Sequence, residues 1–79
     1  MSEIVHISSL LLRADPKKME QVLTGIAAVD LAEVPVSDPN GKIIVIIETT
    51  NQGAIVDALT QLQLIDGVVS ASLVYHQTD

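Results

Sequence analysis

Cysteine, phenylalanine and tryptophan are absent from this chain, and Tyr75 is its one tyrosine. Without cysteine there is no disulfide framework, no thiolate metal site and no redox pair. With a single tyrosine there are no stacking platforms of the kind that readers of single-stranded nucleic acid use. Positive charge is scarce too: four Lys and Arg stand against ten Asp and Glu, a formal net charge of −6. That balance repels a phosphate backbone and favours a cationic partner. No stretch approaches the roughly 20 apolar residues of a membrane-spanning helix. The opening "MSEIVHISSLLLR" places Glu3 before a short apolar run broken by His6, Ser8 and Ser9, which is neither the basic n-region nor the h-region of a signal peptide. The expectation is a soluble cytoplasmic protein with no nucleic-acid partner and no membrane span. Its 79 residues have room for one domain, 1–79, which at such a size buries only about 60% of its unfolded surface. A large enclosed active site is not expected.

What is present is a regular succession of patterns. Residues 4–12, "IVHISSLLL", are β-rich and stop at "RADPKK", where Asp15 caps a helix that starts with Pro16. Met19, Val22, Leu23 and Ile26 recur at helical spacing and predict one apolar stripe, with Lys17, Lys18, Glu20 and Gln21 off it. "LAEVPV", 31–36, reads as a short strand, and Pro35 assigns it to a sheet edge because proline cannot donate to a central ladder. "SDPNGK" is a hairpin turn, with Asn40-Gly41 suited to positive φ. "KIIVIIE" follows, apolar on both parities and hence central. Asn51 caps a second helix with the stripe Ile55, Leu59, Leu62 and Ile65, closed by Asp66-Gly67. "VVSASLVYHQ" is the last strand. This order, βαββαβ, is that of an α+β ferredoxin-like fold: a four-stranded antiparallel sheet with two helices on one face, strands one and three central.

Side chains alternate between the faces of a strand, so the more uniformly apolar set of each is assigned to the helices. That set is Val5, Ile7, Leu11, Val34, Val36, Ile43, Val45, Ile47, Val69, Ala71, Leu73 and Tyr75, the last with its hydroxyl reaching water. The other set, His6, Ser8, Leu10, Leu12, Glu33, Pro35, Ile44, Ile46, Glu48, Ser70, Ser72, Val74 and His76, is mixed, and no segment is left to cover it. An apolar patch of Leu10, Leu12, Ile44, Ile46 and Val74, rimmed by polar groups, has the composition of an interaction surface. A sheet-to-sheet homodimer is the blander use of the same patch.

Chemistry finds little foothold. His6 and His76 share a parity set near the ends of neighbouring strands, but no third ligand stands at metal-binding spacing. They read as surface or binding histidines, with a pH-dependent contact as the modest possibility. Ser8, Ser9, Ser70 and Ser72 lie in no nucleophile elbow. "NQG" and "DPNG" are cap and turn chemistry, and Arg13 has no glycine-rich phosphate loop before it. No enzymatic activity and no cofactor are expected.

Two segments, "EVPVSDPNGKIIVIIE" (33–48) and "IDGVVSASLVYHQ" (65–77), together resemble the NapD family, the cytoplasmic chaperones of the periplasmic nitrate reductase catalytic subunit. The resemblance implies a ferredoxin-like protein that binds the twin-arginine signal peptide of the reductase precursor and delays export until its molybdenum cofactor is inserted. It implies a peptide bound as a helix on the uncovered sheet face, with apolar anchors and acidic groups for the cationic end. On that basis Leu10, Ile44, Ile46 and Val74 are the expected apolar contacts, and His6, Ser8, Ser72 and His76 the polar ones. Glu48 is the expected arginine partner, and the chain a monomer or weak homodimer. Ser72, Val74 and His76 lie inside the matching "SLVYHQ". Two other classes share the fold: a small regulatory or dimerisation domain binding a small molecule, and an acyl-phosphatase-like enzyme that would need Arg13.

Overall fold

The structure is a computed structural model that describes residues 5–78, with backbone alone at 76–78; the expected first strand residue Ile4 lies outside them. Strand β1 (His6–Ala14) leads through a 3₁₀ turn, Pro16–Lys18, into α1 (Met19–Ala27). Strands β2 (Ala32–Ser37) and β3 (Lys42–Thr49) form a hairpin, followed by α2 (Gln52–Gln63) and β4 (Val68–Thr78). The sheet order is β2-β3-β1-β4, antiparallel throughout, with β1 and β3 central. This is the ferredoxin-like arrangement, and Pro35 sits on an edge strand. No helix among the described residues is long and apolar enough to cross a membrane.

Local chemistry sets the element ends. The Lys17 amide donates to Asp15 Oδ1 at 3.0 Å, and the Gly53 amide to Asn51 Oδ1 at 2.9 Å, each satisfying a donor that the first turn leaves without a partner. In the hairpin turn the Asn40 amide donates to Asp38 Oδ1 and the Gly41 amide to Asp38 O, with Gly41 at φ +103°. Only Gly41 of the Asn-Gly pair takes positive φ, so the connection is a three-residue loop with a glycine bulge rather than a two-residue mirror-image turn. A side chain at Gly41 would run into the carbonyl oxygen of Ala14, while the Ala14 amide donates to Gly41 O at 2.7 Å. The hairpin thereby clips onto the end of β1.

The core lies between the helices and one sheet face. Val22 and Ile26 of α1 and Ile55, Ala58 and Leu62 of α2 are buried, and Met19, Leu23, Leu59 and Ile65 pack against them. Both stripes follow the helical spacing. From the sheet come Leu10, Leu12, Ala14, Ile43, Val45 and Ile47, with Ser8 buried beside them.

On β3 the expected parity is the observed one; on β1 it is reversed. Leu10, Leu12 and Ser8 are all 0% exposed and belong to the core, not to the uncovered face. Ile7 and Leu11, expected in the core, share the opposite face. The reason lies at the strand's end: β1 runs on to Ala14, so Arg13 follows the parity of Leu11 and Ala14 that of Leu12. A charged side chain is costly to bury and alanine is not. That pair decides which face meets the helices.

The edge strands depart further because each is bulged. In β2, Glu33 pairs with Ile46 but Val36 with Ile44, so Val34 and Pro35 together oppose Val45. Val36 is thereby carried out of its expected core place to the uncovered face, 59% exposed. In β4, Val69 is an extra residue between the Ala14–Val68 and Arg13–Ser70 pairs and is 74% exposed rather than buried. Val74 is a second, between Leu10–Leu73 and Ser9–Tyr75. Beyond it the two faces of β4 exchange, because a single added residue reverses a period of two. Tyr75 therefore stands with Ser9 on the uncovered face, not on the helix side.

Candidate functional site

Residues directly opposite one another in antiparallel strands share a face with Cβ atoms about 4.5–5.5 Å apart, so the register gives the uncovered surface row by row. One row is Val36–Ile44–Leu11–Ser72, and the next Glu33–Ile46–Ser9–Tyr75. Beyond these lie Glu48–Ile7 at one end and Lys42–Arg13–Ser70 at the other. Ile7, Leu11, Ile44 and Ile46 are partly exposed, whereas the helix-facing Leu10, Val45 and Ile47 are fully buried. The centre of the face is a flat apolar strip without an aromatic ring until Tyr75, at 56% exposure, adds one on the β4 side. Tyr75 combines an apolar ring with a polar tip, a combination suited to a half-wet contact surface.

Of the expected contact residues, Ile44, Ile46, Glu48 and Ser72 lie on this face. Val74 is the exposed bulge residue at its β4 margin. Ser8 and Leu10 are removed from it by burial. The Ser8 hydroxyl makes no hydrogen bond among the described residues, so it is a polar group enclosed by the core rather than offered to a ligand. His6 pairs with Thr49 and Thr78 and shares the parity of Ser8, which takes it to the helix side as well. Backbone register puts His76 opposite Ser8; its side chain lies outside the described residues. Leu11, Ile7, Val36 and Tyr75 are members of the face that strand parity alone assigned to the core, whereas Glu33 belonged to the uncovered set without being named a contact. The parity of Arg13 was the available signal for Leu11 and Ile7, and none in the sequence marks the bulges that turn out Val36 and Tyr75.

At the β2–β3 end a recess of about 480 Å³ is lined by Val5, Leu31, Glu33, Ile46, Glu48 and Thr50, among others. Its carboxylates, Glu33 and Glu48, are exposed and engaged in no ion pair among the described residues. Leu31 forms part of the rim at φ +71°, a left-handed conformation that costs a bulky L-residue about 1–2 kcal/mol. The second half of the fold repeats this corner. The Ala32 amide donates to Val29 O just after Leu31, and the Val68 amide to Ile65 O just after Gly67, which stands at φ +100°. Leucine thus occupies, 49% exposed, the place where the equivalent corner has the residue suited to that backbone. No group of three or more metal-ligating side chains occurs among the described residues. The face offers apolar area, hydroxyls and two carboxylates engaged in no ion pair among the described residues.

Comparison with known proteins agrees with that composition. Residues 5–79 match the family model described as NapD protein. The chain is 32% identical over 75 residues to the Chaperone NapD of Haemophilus influenzae, covering 94% of this chain and 81% of the relative. It is 31% identical to the Chaperone NapD of Escherichia coli, covering 94% and 86%. The solution structure of the Escherichia coli Tat proofreading chaperone protein NapD superposes with a TM-score of 0.83 at 30% identity, covering 95% of this chain and 80% of that one.

Proposed function

Because this chain belongs to the NapD family, a family of chaperones and not of enzymes, we propose that it binds the twin-arginine signal peptide of the periplasmic nitrate reductase catalytic subunit. It does so in the cytoplasm, through the uncovered face of its sheet, and by occupying the peptide it delays export until cofactor insertion and folding are complete. The observation that carries this reading is the strip of Ile7, Leu11, Ile44, Ile46 and Val36 left open on a four-stranded sheet, bordered by two carboxylates in no ion pair among the described residues. Apolar anchors supply affinity and the carboxylates select the arginines. Ser72, Val74 and Tyr75 contribute the β4 margin.

A peptide lying on this face meets no free ladder groups, because the backbone beneath it is already paired across four strands. Its own amides and carbonyls must be satisfied internally, which an α-helix does. The chaperone then acts as a competitor: while the peptide is seated, its arginines and apolar run are unavailable to the export machinery.

Isothermal titration with a synthetic nitrate reductase signal peptide, its twin-lysine version and an unrelated twin-arginine peptide tests the reading. Tight binding of the first, weaker binding of the others and loss in a folded Ile46→Asp variant are expected. No binding of any of the three to folded protein would remove it.

A further inference from the structure

The uncovered face is oppositely charged at its two ends. At the Ile7 end, the recess lined by Leu31, Ile46 and Thr50 carries Glu33 and Glu48 and, among the described residues, no cation. At the other end Arg13 and Lys42 pair directly across β1 and β3 and line a second recess, of about 420 Å³, together with Asp38. Two of the chain's four Lys and Arg residues stand there; among the described lining residues that end is positive by one charge with Asp38, whereas the first is negative by two. None of these five groups is engaged in an ion pair among the described residues, so neither end is internally neutralised.

We infer that this face reads the direction of the bound peptide: the cationic N-terminal segment sits at Glu33 and Glu48, and the helix runs over Ile46, Ile44 and Leu11 to end at Arg13 and Lys42. The inference rests on the function proposed above. Four arguments converge on it. Coulomb attraction places the arginines at the recess with two carboxylates, and Arg13 and Lys42 repel them from the opposite end, so the reversed pose is opposed as well as unrewarded. The peptide's helix dipole points the same way, its positive N-terminus toward the glutamates and its negative C-terminus toward the cations. Length agrees too: Ile7 and Arg13 are six residues apart on β1, about 20 Å of strand, which a helix of about 13 residues spans. Leu31, held in its strained conformation at the rim, gives the aliphatic stem of an arginine an apolar wall beside the carboxylates.

The test uses the isotope-labelled full chain and the same signal peptide carrying a nitroxide at its N-terminus, with a second peptide labelled at the end of its apolar run. The expected result is paramagnetic broadening of the Glu33, Ile46 and Glu48 amides by the first label, and of Arg13, Lys42 and Ser70 by the second. The reverse pattern, equal broadening of both ends by either label, or broadening confined to the outer edge of β4 would overturn the assignment. Calorimetry on the same samples separates the two claims. Absence of binding removes the proposed function and the direction with it, whereas binding without the expected asymmetry removes the direction alone.

Discussion

Leu10 and Leu11 are adjacent in sequence and identical in chemistry, yet the fold gives them opposite tasks, and paired alanine variants expose this. Leu10 is 0% exposed among Leu12, Val45 and Ile47; truncating a leucine so enclosed costs about 2–5 kcal/mol in lost transfer energy and residual cavity. A chain of this length has a total stability of about 4–12 kcal/mol, so the loss is a large fraction. At roughly 4–8 °C per kcal/mol the melting temperature falls by about 10–30 °C. Leu11 stands on the uncovered face between Ile44 and Ser72, where truncation leaves no enclosed void and removes little area from burial, so Leu11→Ala costs about 1 kcal/mol or less. In the proposed complex with the signal peptide the same leucine lies at the centre of the contact, so its removal is expected to weaken affinity by about 1–2 kcal/mol, roughly 5–30-fold. Urea denaturation and calorimetry of both variants read the two effects separately. A Leu10→Ala protein as stable as the parent, or a Leu11→Ala protein that unfolds while Leu10→Ala keeps its stability, would refute the face assignment on which the site is built.

Three further outcomes are expected. Ser8→Ala removes an enclosed hydroxyl that has no hydrogen-bond partner among the described residues, so stability by urea denaturation rises by about 1 kcal/mol with peptide affinity unchanged; a fall in either would return Ser8 to the list of contacts. Leu31→Gly relieves a left-handed leucine but loosens the unfolded chain, so stability changes by about 1 kcal/mol or less while peptide affinity drops about fivefold. Equal loss of both would make Leu31 a packing residue only. Asp66 accepts a hydrogen bond from Gln21 Nε2 at 2.8 Å and lies 3.6 Å from Lys18 Nζ; the hydrogen bond first and the ammonium second hold its carboxyl below the usual carboxylate range. A depressed folded pKa contributes stability above the unfolded value that is lost as pH falls through the folded one. The advantage of the parent over Asp66→Asn is therefore present at neutral pH and shrinks toward zero in acid. A difference independent of pH would exclude the charge as its source.

The sequence by itself determined the element order, both helix stripes, the caps at Asp15 and Asn51, the edge position of Pro35 and the face of β3. Each is set by local spacing, by a capping group or by a missing amide, all of which act within a few residues. It also carried the family resemblance in its hairpin and last strand. Only the tertiary structure decided which face of β1 meets the helices. "ISSLLL" is apolar on both parities, and the choice is made by where Arg13 and Ala14 fall once the strand extends past Leu12. Bulges at Val34-Pro35, Val69 and Val74 were equally out of reach, because an extra residue is defined by its partner strand and not by its own neighbours. Through them Tyr75 and Val36 were turned outward, while the β2–β3 and β1–β3 registers gathered Glu33 and Glu48 at one end of the sheet and brought Arg13 to face Lys42 at the other. Those side chains are far apart along the chain, and the polarity of the face exists only where cross-strand pairing brings them together.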